Sequence, residues 1–262
     1  MRKHLFIPDT QVKPGCPTHH LRWVGEYIVD RKPDVVVHIG DHWDMPSLTS
    51  FEKRGGKHME GKRYKADVDA GNAGMDMLTA PAKKAGLLDT IDWRFLLGNH
   101  EARITRAVEE DPRLEGSIGL QDLNTVGWKV SPFLEPLTID GVVYAHYFYQ
   151  PLTGNAFSGT IENRLRQIGH SFSMGHQQTL AYGVRFVAGR SQHGLVCGSC
   201  YLHDEHYKGP QGNAHWRGVV VKHSVGGGSY NPMFVDLDFL CRKYEGRSLS
   251  SFMSRYKIGK KR

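Results

Sequence analysis

Asp34-Val35-Val36-Val37-His38-Ile39-Gly40-Asp41 is the stretch on which the fold turns. A β-branched, mostly apolar run of this length reads as a buried strand, and it stops on a glycine followed by a carboxylate. Upstream of it, residues 18–31 carry Leu21, Trp23, Val24, Tyr27 and Ile28 at helical spacing, with Thr18 placed to cap and Pro33 to close. Further upstream, His4-Leu5-Phe6-Ile7 reads as a second buried strand ending at Pro8-Asp9. Downstream, residues 66–85 have helical character. Trp93-Arg94-Phe95-Leu96-Leu97 then forms a third apolar strand running into Gly98-Asn99-His100, and residues 101–110 are again helical. Strand, helix, strand, helix, strand in that order predicts the α/β class, βαβ units and a largely parallel sheet.

The second half changes character. Ile139-Asp140-Gly141-Val142 is a hairpin signal leading into Val142-Val143-Tyr144-Ala145-His146. Residues 161–168 suit a short helix, and Ser171 to Met174 a strand that ends at Gly175-His176. Strand-like runs punctuated by glycine follow at 185–187, 194–196, 218–223 and 233–239. The expected organisation is one domain over residues 1–241 with a basic C-terminal tail over 242–262.

Composition narrows the classes. The 262 residues hold 34 Lys plus Arg against 27 Asp plus Glu, a net +7, with 39% hydrophobic and 23% charged residues, which is ordinary globular material. No apolar run approaches a membrane span, and Leu5-Phe6-Ile7 is too short for a signal peptide, so no membrane partner is expected. Four cysteines are too few for a disulfide scaffold, which points to a reducing, cytoplasmic setting. Charge is unevenly spread: residues 242–262 hold eight cations and one anion, the whole net excess. A second basic run, residues 51–65, interleaves Lys53, Arg54, Lys57, Lys62, Arg63 and Lys65 with Phe51 and Tyr64, a mixture able to track a phosphate backbone and stack bases.

The polar residues carry the functional signal by position. Asp9, Asp41 and Asn99 each follow a buried strand, and His146 and His176 do the same. One such residue is ordinarily a cap or turn former. Repeated at strand ends that share one edge of an α/β sheet, oxygen and imidazole donors suit a pair of divalent metals. Cys197-Gly198-Ser199-Cys200, with His193, His203 and His206 nearby, is spaced too tightly for a usual structural zinc site.

Asp9-Thr10-Gln11, Gly40-Asp41-His42-Trp43-Asp44, Gly98-Asn99-His100-Glu101, Ala145-His146 and Gly175-His176-Gln177-Gln178 together resemble the calcineurin-like metallophosphoesterase superfamily. Its pattern is Asp-x-His, Gly-Asp-x-x-Asp, Gly-Asn-His-Asp/Glu, an isolated His and Gly-His-x-His, and the resemblance covers roughly residues 4–178. It implies a four-layer α/β/β/α sandwich. The Asp-Thr-Gln variant is also similar to small phosphoesterases encoded by bacteriophages, which would place the protein in a host cytoplasm.

The resemblance further implies a second metal site of Asp41 (bridging), Asn99, His146 and His176. The first site would take Asp9, Asp41, Gln11 and Gln178, the two glutamines standing where the family has histidine. A carboxamide oxygen is a harder, weaker donor than imidazole, so the first site is expected to bind loosely. Mn²⁺ is the expected ion at both, with Mg²⁺, Fe²⁺, Zn²⁺ and Ni²⁺ as alternatives. By the same resemblance the chemistry is hydrolysis of a phosphoester by a metal-activated hydroxide, with His100 as general acid oriented by Asp44. Met45-Pro46 stand where related protein phosphatases carry Arg-Gly, and the basic run follows closely, so a phosphodiester of the nucleic-acid type is the expected substrate. Arg103, His42, Lys53 and Arg54 are the candidate substrate contacts. A phosphomonoesterase or cyclic-nucleotide phosphodiesterase, and a catalytically silent phosphate- or nucleic-acid-binding module, are the alternatives.

Overall fold

In the computed structural model, which describes residues 1–50, 56–205, 208–256 and 258, the first half runs β1 (Arg2–Ile7), α1 (His19–Arg31), β2 (Val35–His38), α2 (Tyr64–Lys84), β3 (Asp92–Leu96), α3 (Ala102–Glu110) and β4 (Lys129–Ser131). The second half runs β5 (Leu137–Ile139), β6 (Val142–Tyr144), α4 (Ile161–Ile168), β7 (Phe172–Met174), β8 (Leu180–Val187), β9 (Arg190–Cys197), α5 (Gly209–Asn213), β10 (Gly218–Gly226), β11 (Ser229–Asp236), α6 (Leu237–Glu245) and α7 (Leu249–Arg255). The class is mixed α/β.

Two mixed sheets result. The first has the order β11-β10-β1-β2-β3-β4. Its β1, β2, β3 and β4 are parallel, with His4 opposite Val35 and Val35 opposite Asp92. The β10–β11 hairpin joins antiparallel to β1, so the sheet is less uniformly parallel than the first half of the sequence suggests. The second sheet has the order β5-β6-β7-β9-β8, parallel in its centre and antiparallel at both edges.

Side-chain alternation along β1 and β2 sorts the core, because successive residues of a strand face opposite sides. Leu5, Ile7 and Val36 pack with Leu21, Trp23, Val24 and Ile28 of α1 and Leu78 of α2. Phe6, Val35 and Val37 face the other way, onto Ile139, Val142, Tyr144, Leu195 and Cys197 of the second sheet. On the far side of that sheet, Ile161 and Leu165 of α4 cover Phe172, Met174 and Val196. Each such fully buried side chain contributes about 1.5–3 kcal/mol of hydrophobic stabilisation, and together they fix the strand ends relative to one another.

Two sequence expectations change at the C-terminus. The strand expected over 233–239 stops at Asp236, whose carboxylate accepts the Phe239 N–H (2.7 Å) and so starts α6 instead. The boundary expected between residues 241 and 242 falls inside that helix. Beyond it, Phe252 is fully buried and meets Trp23 edge-on, while Glu245 accepts from Trp23 Nε1 (2.8 Å) and Arg22 Nη2 (2.6 Å). Among the described residues, Arg242, Lys243 and Arg255 of that charged segment are exposed on these two helices, and Arg242 pairs with Asp238 one turn earlier on α6. Residues 257 and 259–262 lie outside the described residues. No helix among the described residues is long and apolar enough to cross a membrane.

Candidate metal centre

Five strand ends deliver the predicted donors to one edge. Asp9 follows β1, Asp41 follows β2, Asn99 follows β3, His146 follows β6 and His176 follows β7. Ligand-capable atoms of Asp41, His146 and His176 all lie within 4.8 Å of one another. His146 Nε2 is 3.3 Å from Asp41 Oδ2, and Asn99 Oδ1 sits between the two imidazoles, 2.9 Å from His146 Nε2 and 2.8 Å from His176 Nδ1. Asp9 Oδ1 accepts the His176 backbone N–H (3.1 Å).

The donor chemistry fits a divalent cation. His146 Nδ1–H donates to the Ile39 carbonyl (2.8 Å), which fixes the tautomer and turns the Nε2 lone pair toward Asp41 and Asn99. Lone pairs of a carboxylate, a carboxamide and two imidazoles thus converge, an arrangement that calls for positive charge at its centre. Burial opposes a proton on His146, yet Asp41 overrides it and lifts the ring to about 9. Burial likewise works to raise Asp41, but the facing rings of His100 and His146 hold it well below the carboxylate range. Asp9 goes the other way: burial, with Asp41 adding to it, pushes it up to about 6 against the pull of His146. Burial and the neighbouring His146 bring His176 down to about 4.

Unusual backbone holds these groups. Gln11, Asp41, Met45, His176 and Gln178 all have positive φ, a conformation that costs a non-glycine residue roughly 1–3 kcal/mol and persists only where surrounding contacts enforce it. Gly98 and Gly175 allow the close approach: a Cβ at Gly98 would lie 2.2 Å from Asp41 Oδ1, and one at Gly175 would lie 2.3 Å from Asp9 Oδ1. The main enforcing contact is one the sequence reading gave no role. The fully buried Glu101 carboxylate accepts four backbone N–H groups, those of Asp41 (2.9 Å), His42 (2.7 Å), Trp43 (2.9 Å) and Gly98 (2.8 Å). Burial and the nearby Asp41 push Glu101 up to about 7 against the pull of these donors.

His100 and Asp44 form the expected pair. His100 Nδ1 is 2.7 Å from Asp44 Oδ1, and its Nε2 is 3.7 Å from Asp41 Oδ2. Burial lowers the ring's proton affinity, but Asp41 and Asp44 outweigh it and the net shift is upward. Arg103 lines the same cavity and holds this pair: Nη1 donates to the Asp44 carbonyl (2.8 Å) and Nη2 lies 3.1 Å from His100 Nε2. His42 does not reach the cavity. It is fully buried, with Nδ1 on the Thr10 hydroxyl (2.7 Å) and Nε2 on the Gly71 carbonyl (2.9 Å), because the chain turns inward after Asp41. Lys53 and Arg54 lie outside the described residues.

The glutamines meet different surroundings. Gln11 is buried, and its Oε1 has no hydrogen-bond partner among the described residues. Gln178 Oε1 accepts from Tyr201 O–H (2.7 Å) and from the Lys208 ammonium, while its Nε2 faces Asp9 Oδ2 at 3.5 Å. Lys13 bridges Asp44 Oδ2 (2.8 Å) and Glu205 Oε1 (2.6 Å). Gln11, Asp41, Asn99, His100, His176 and Gln178 all open onto one cavity of about 1140 Å³, whose wall includes Lys62 and Arg63 at the start of α2. Lys13, Tyr201, Glu205 and Lys208 were not singled out in the sequence, since each comes from a loop without periodic signal. Cys197 and Cys200 are buried free thiols, and among the described residues they are not part of a metal-ligand cluster. The sequence matches no protein-family profile and no curated protein.

Proposed function

We propose that the chain is a metal-dependent phosphoesterase that hydrolyses phosphodiesters, with nucleic acid as its first substrate class. The observation that carries this reading is the clustering of the Asp41, Asn99, His146 and His176 donors beside the His100–Asp44 pair, with Asp41, Asn99, His176, His100 and Asp44 opening onto one cavity. The packing of helix on sheet, sheet on sheet and sheet on helix supports the finer description of an α/β/β/α sandwich, and four free thiols support an intracellular setting.

A divalent cation held by Asp41, Asn99, His146 and His176 supplies Lewis-acid polarisation of a phosphoryl oxygen and a lowered pKa for water. His100 holds a proton at Nε2 for the leaving oxygen, and Asp44 orients the ring through Nδ1–H, an arrangement typically worth about 10²–10⁴-fold in rate. The Arg103 guanidinium opposes protonation of Nε2 while it donates to it. Transfer of that guanidinium to a phosphoryl oxygen releases the ring nitrogen for its proton. Lys62 and Arg63 place positive charge on the cavity wall at the end of the basic run, which favours a polyanion over a small monoester.

Assays with bis(p-nitrophenyl) phosphate, p-nitrophenyl phosphate and labelled single-stranded DNA, each with Mn²⁺ and after chelation, test the reading. Mn²⁺-dependent cleavage of the diester and of DNA is the expected result. Cleavage of the monoester alone would make it a phosphatase, and DNA binding without hydrolysis of any substrate would make it a silent binding module.

A further inference from the structure

The carboxamide of Gln178 can turn only one kind of atom toward each neighbour. An ammonium carries donors and no acceptor, so the Gln178 atom that meets Lys208 is the oxygen. Tyr201 O–H donates to the same oxygen (2.7 Å), and Lys208 Nζ is 3.3 Å from the Tyr201 hydroxyl, so lysine, tyrosine and glutamine form one closed group. That leaves the Gln178 NH₂ facing Asp9, and an amide nitrogen has no lone pair for a cation. Of the donors the resemblance assigns to the first metal, Gln178 is thereby withdrawn, and Asp9 already spends Oδ1 on the His176 N–H. Gln11 Oε1 remains, a weak neutral donor that is buried with no hydrogen-bond partner among the described residues.

We propose that the Lys208 ammonium takes the place of the first cation, so that the centre holds one divalent ion, at Asp41, Asn99, His146 and His176, beside one positive charge built into the chain. This makes the glutamine at position 178 and the lysine a single change. The Gln178 carboxamide oxygen accepts from the ammonium, whereas an imidazole at that position would draw a second metal into the same space. The ammonium has no lone pair or empty orbital with which to activate water, so nucleophile activation falls to the single ion. The inference rests on the metal-centre reading above.

Its test is a count of bound ions at equilibrium, read from the free-Mn²⁺ electron paramagnetic resonance signal up to millimolar metal. The spectrum of the bound ion is recorded in the same samples. Wild type is expected to bind one Mn²⁺ per chain with the six-line signal of an isolated ion. Gln178→His alone should still bind one, and Gln178→His with Lys208→Met should bind two, with the broadened signal of a coupled pair. Two ions in the wild type would overturn the inference while leaving the metal centre standing. No ion at all would overturn both, and one ion in the double variant would show that Lys208 is not what excludes the second. The wild-type count needs no variant to fold.

Discussion

Replacing Glu101 with glutamine should loosen the metal edge of the molecule more than any other isosteric change. Each carboxylate oxygen accepts two backbone N–H groups: Oε1 those of His42 and Trp43, Oε2 those of Asp41 and Gly98. Glutamine keeps one oxygen and substitutes a donor for the other, so two buried N–H groups lose their acceptor whichever way the amide sits. At about 1–3 kcal/mol for each orphaned buried group, the loss is about 2–6 kcal/mol. The lower half of that range is expected, because burial and Asp41 already push Glu101 up to about 7 and neutralisation relieves that strain. Urea unfolding of the metal-free protein reads the stability directly. Calorimetric Mn²⁺ titration should show a further loss of about 10–100-fold in affinity, since the Asp41 loop is no longer pinned. A Glu101→Gln protein that unfolds within about 0.5 kcal/mol of wild type and binds Mn²⁺ unchanged would refute the argument that this carboxylate organises the site.

Other outcomes follow from the same geometry. His100→Ala should retain Mn²⁺ affinity and lose about 10²–10⁴-fold in turnover of diesters with alkoxide leaving groups, with a much smaller loss for p-nitrophenolate; equal losses for both would remove it as the acid. Gly175→Ala should weaken metal binding, because the added carbon would lie 2.3 Å from Asp9 Oδ1, and unchanged titration would contradict the packing argument. The buried His20 is held down to about 3 by burial, with His203 nearby adding to the shift, so the unfolded chain takes up its proton first as pH falls below the ordinary histidine value. Its contribution to stability is therefore intact near pH 7 and declines by about 1.4 kcal/mol per pH unit as pH falls from roughly 6 toward 3. His20→Leu should flatten the profile of unfolding free energy by that slope, and parallel wild-type and variant profiles would count against it.

The part of the site legible in the sequence was the part tied to strand periodicity. β1, β2 and β3 announce themselves as apolar runs, and the residue after each run is placed by the fold itself, which is why Asp9, Asp41 and Asn99 could be read ahead of the structure. Glu101 could not be given its role, because an acceptor of backbone N–H groups leaves no mark on side-chain patterning. Lys13, Glu205 and Lys208 converge from separate loops through contacts nearly 200 residues apart, as between Lys13 and Glu205. His42 was misread because the turn after Asp41 reverses which neighbour faces the cavity. The C-terminal helices were obscured by charge. Leu240, Cys241 and Phe252 are buried, but cations on the outer faces dominate the local composition.

Anomalous diffraction at the manganese edge, from crystals soaked in Mn²⁺, puts the central assignment to the most direct trial. A peak at coordination distance from Asp41, Asn99, His146 and His176 is the predicted result. A map with no peak at those four side chains, however strong the peaks elsewhere on the molecule, would contradict it.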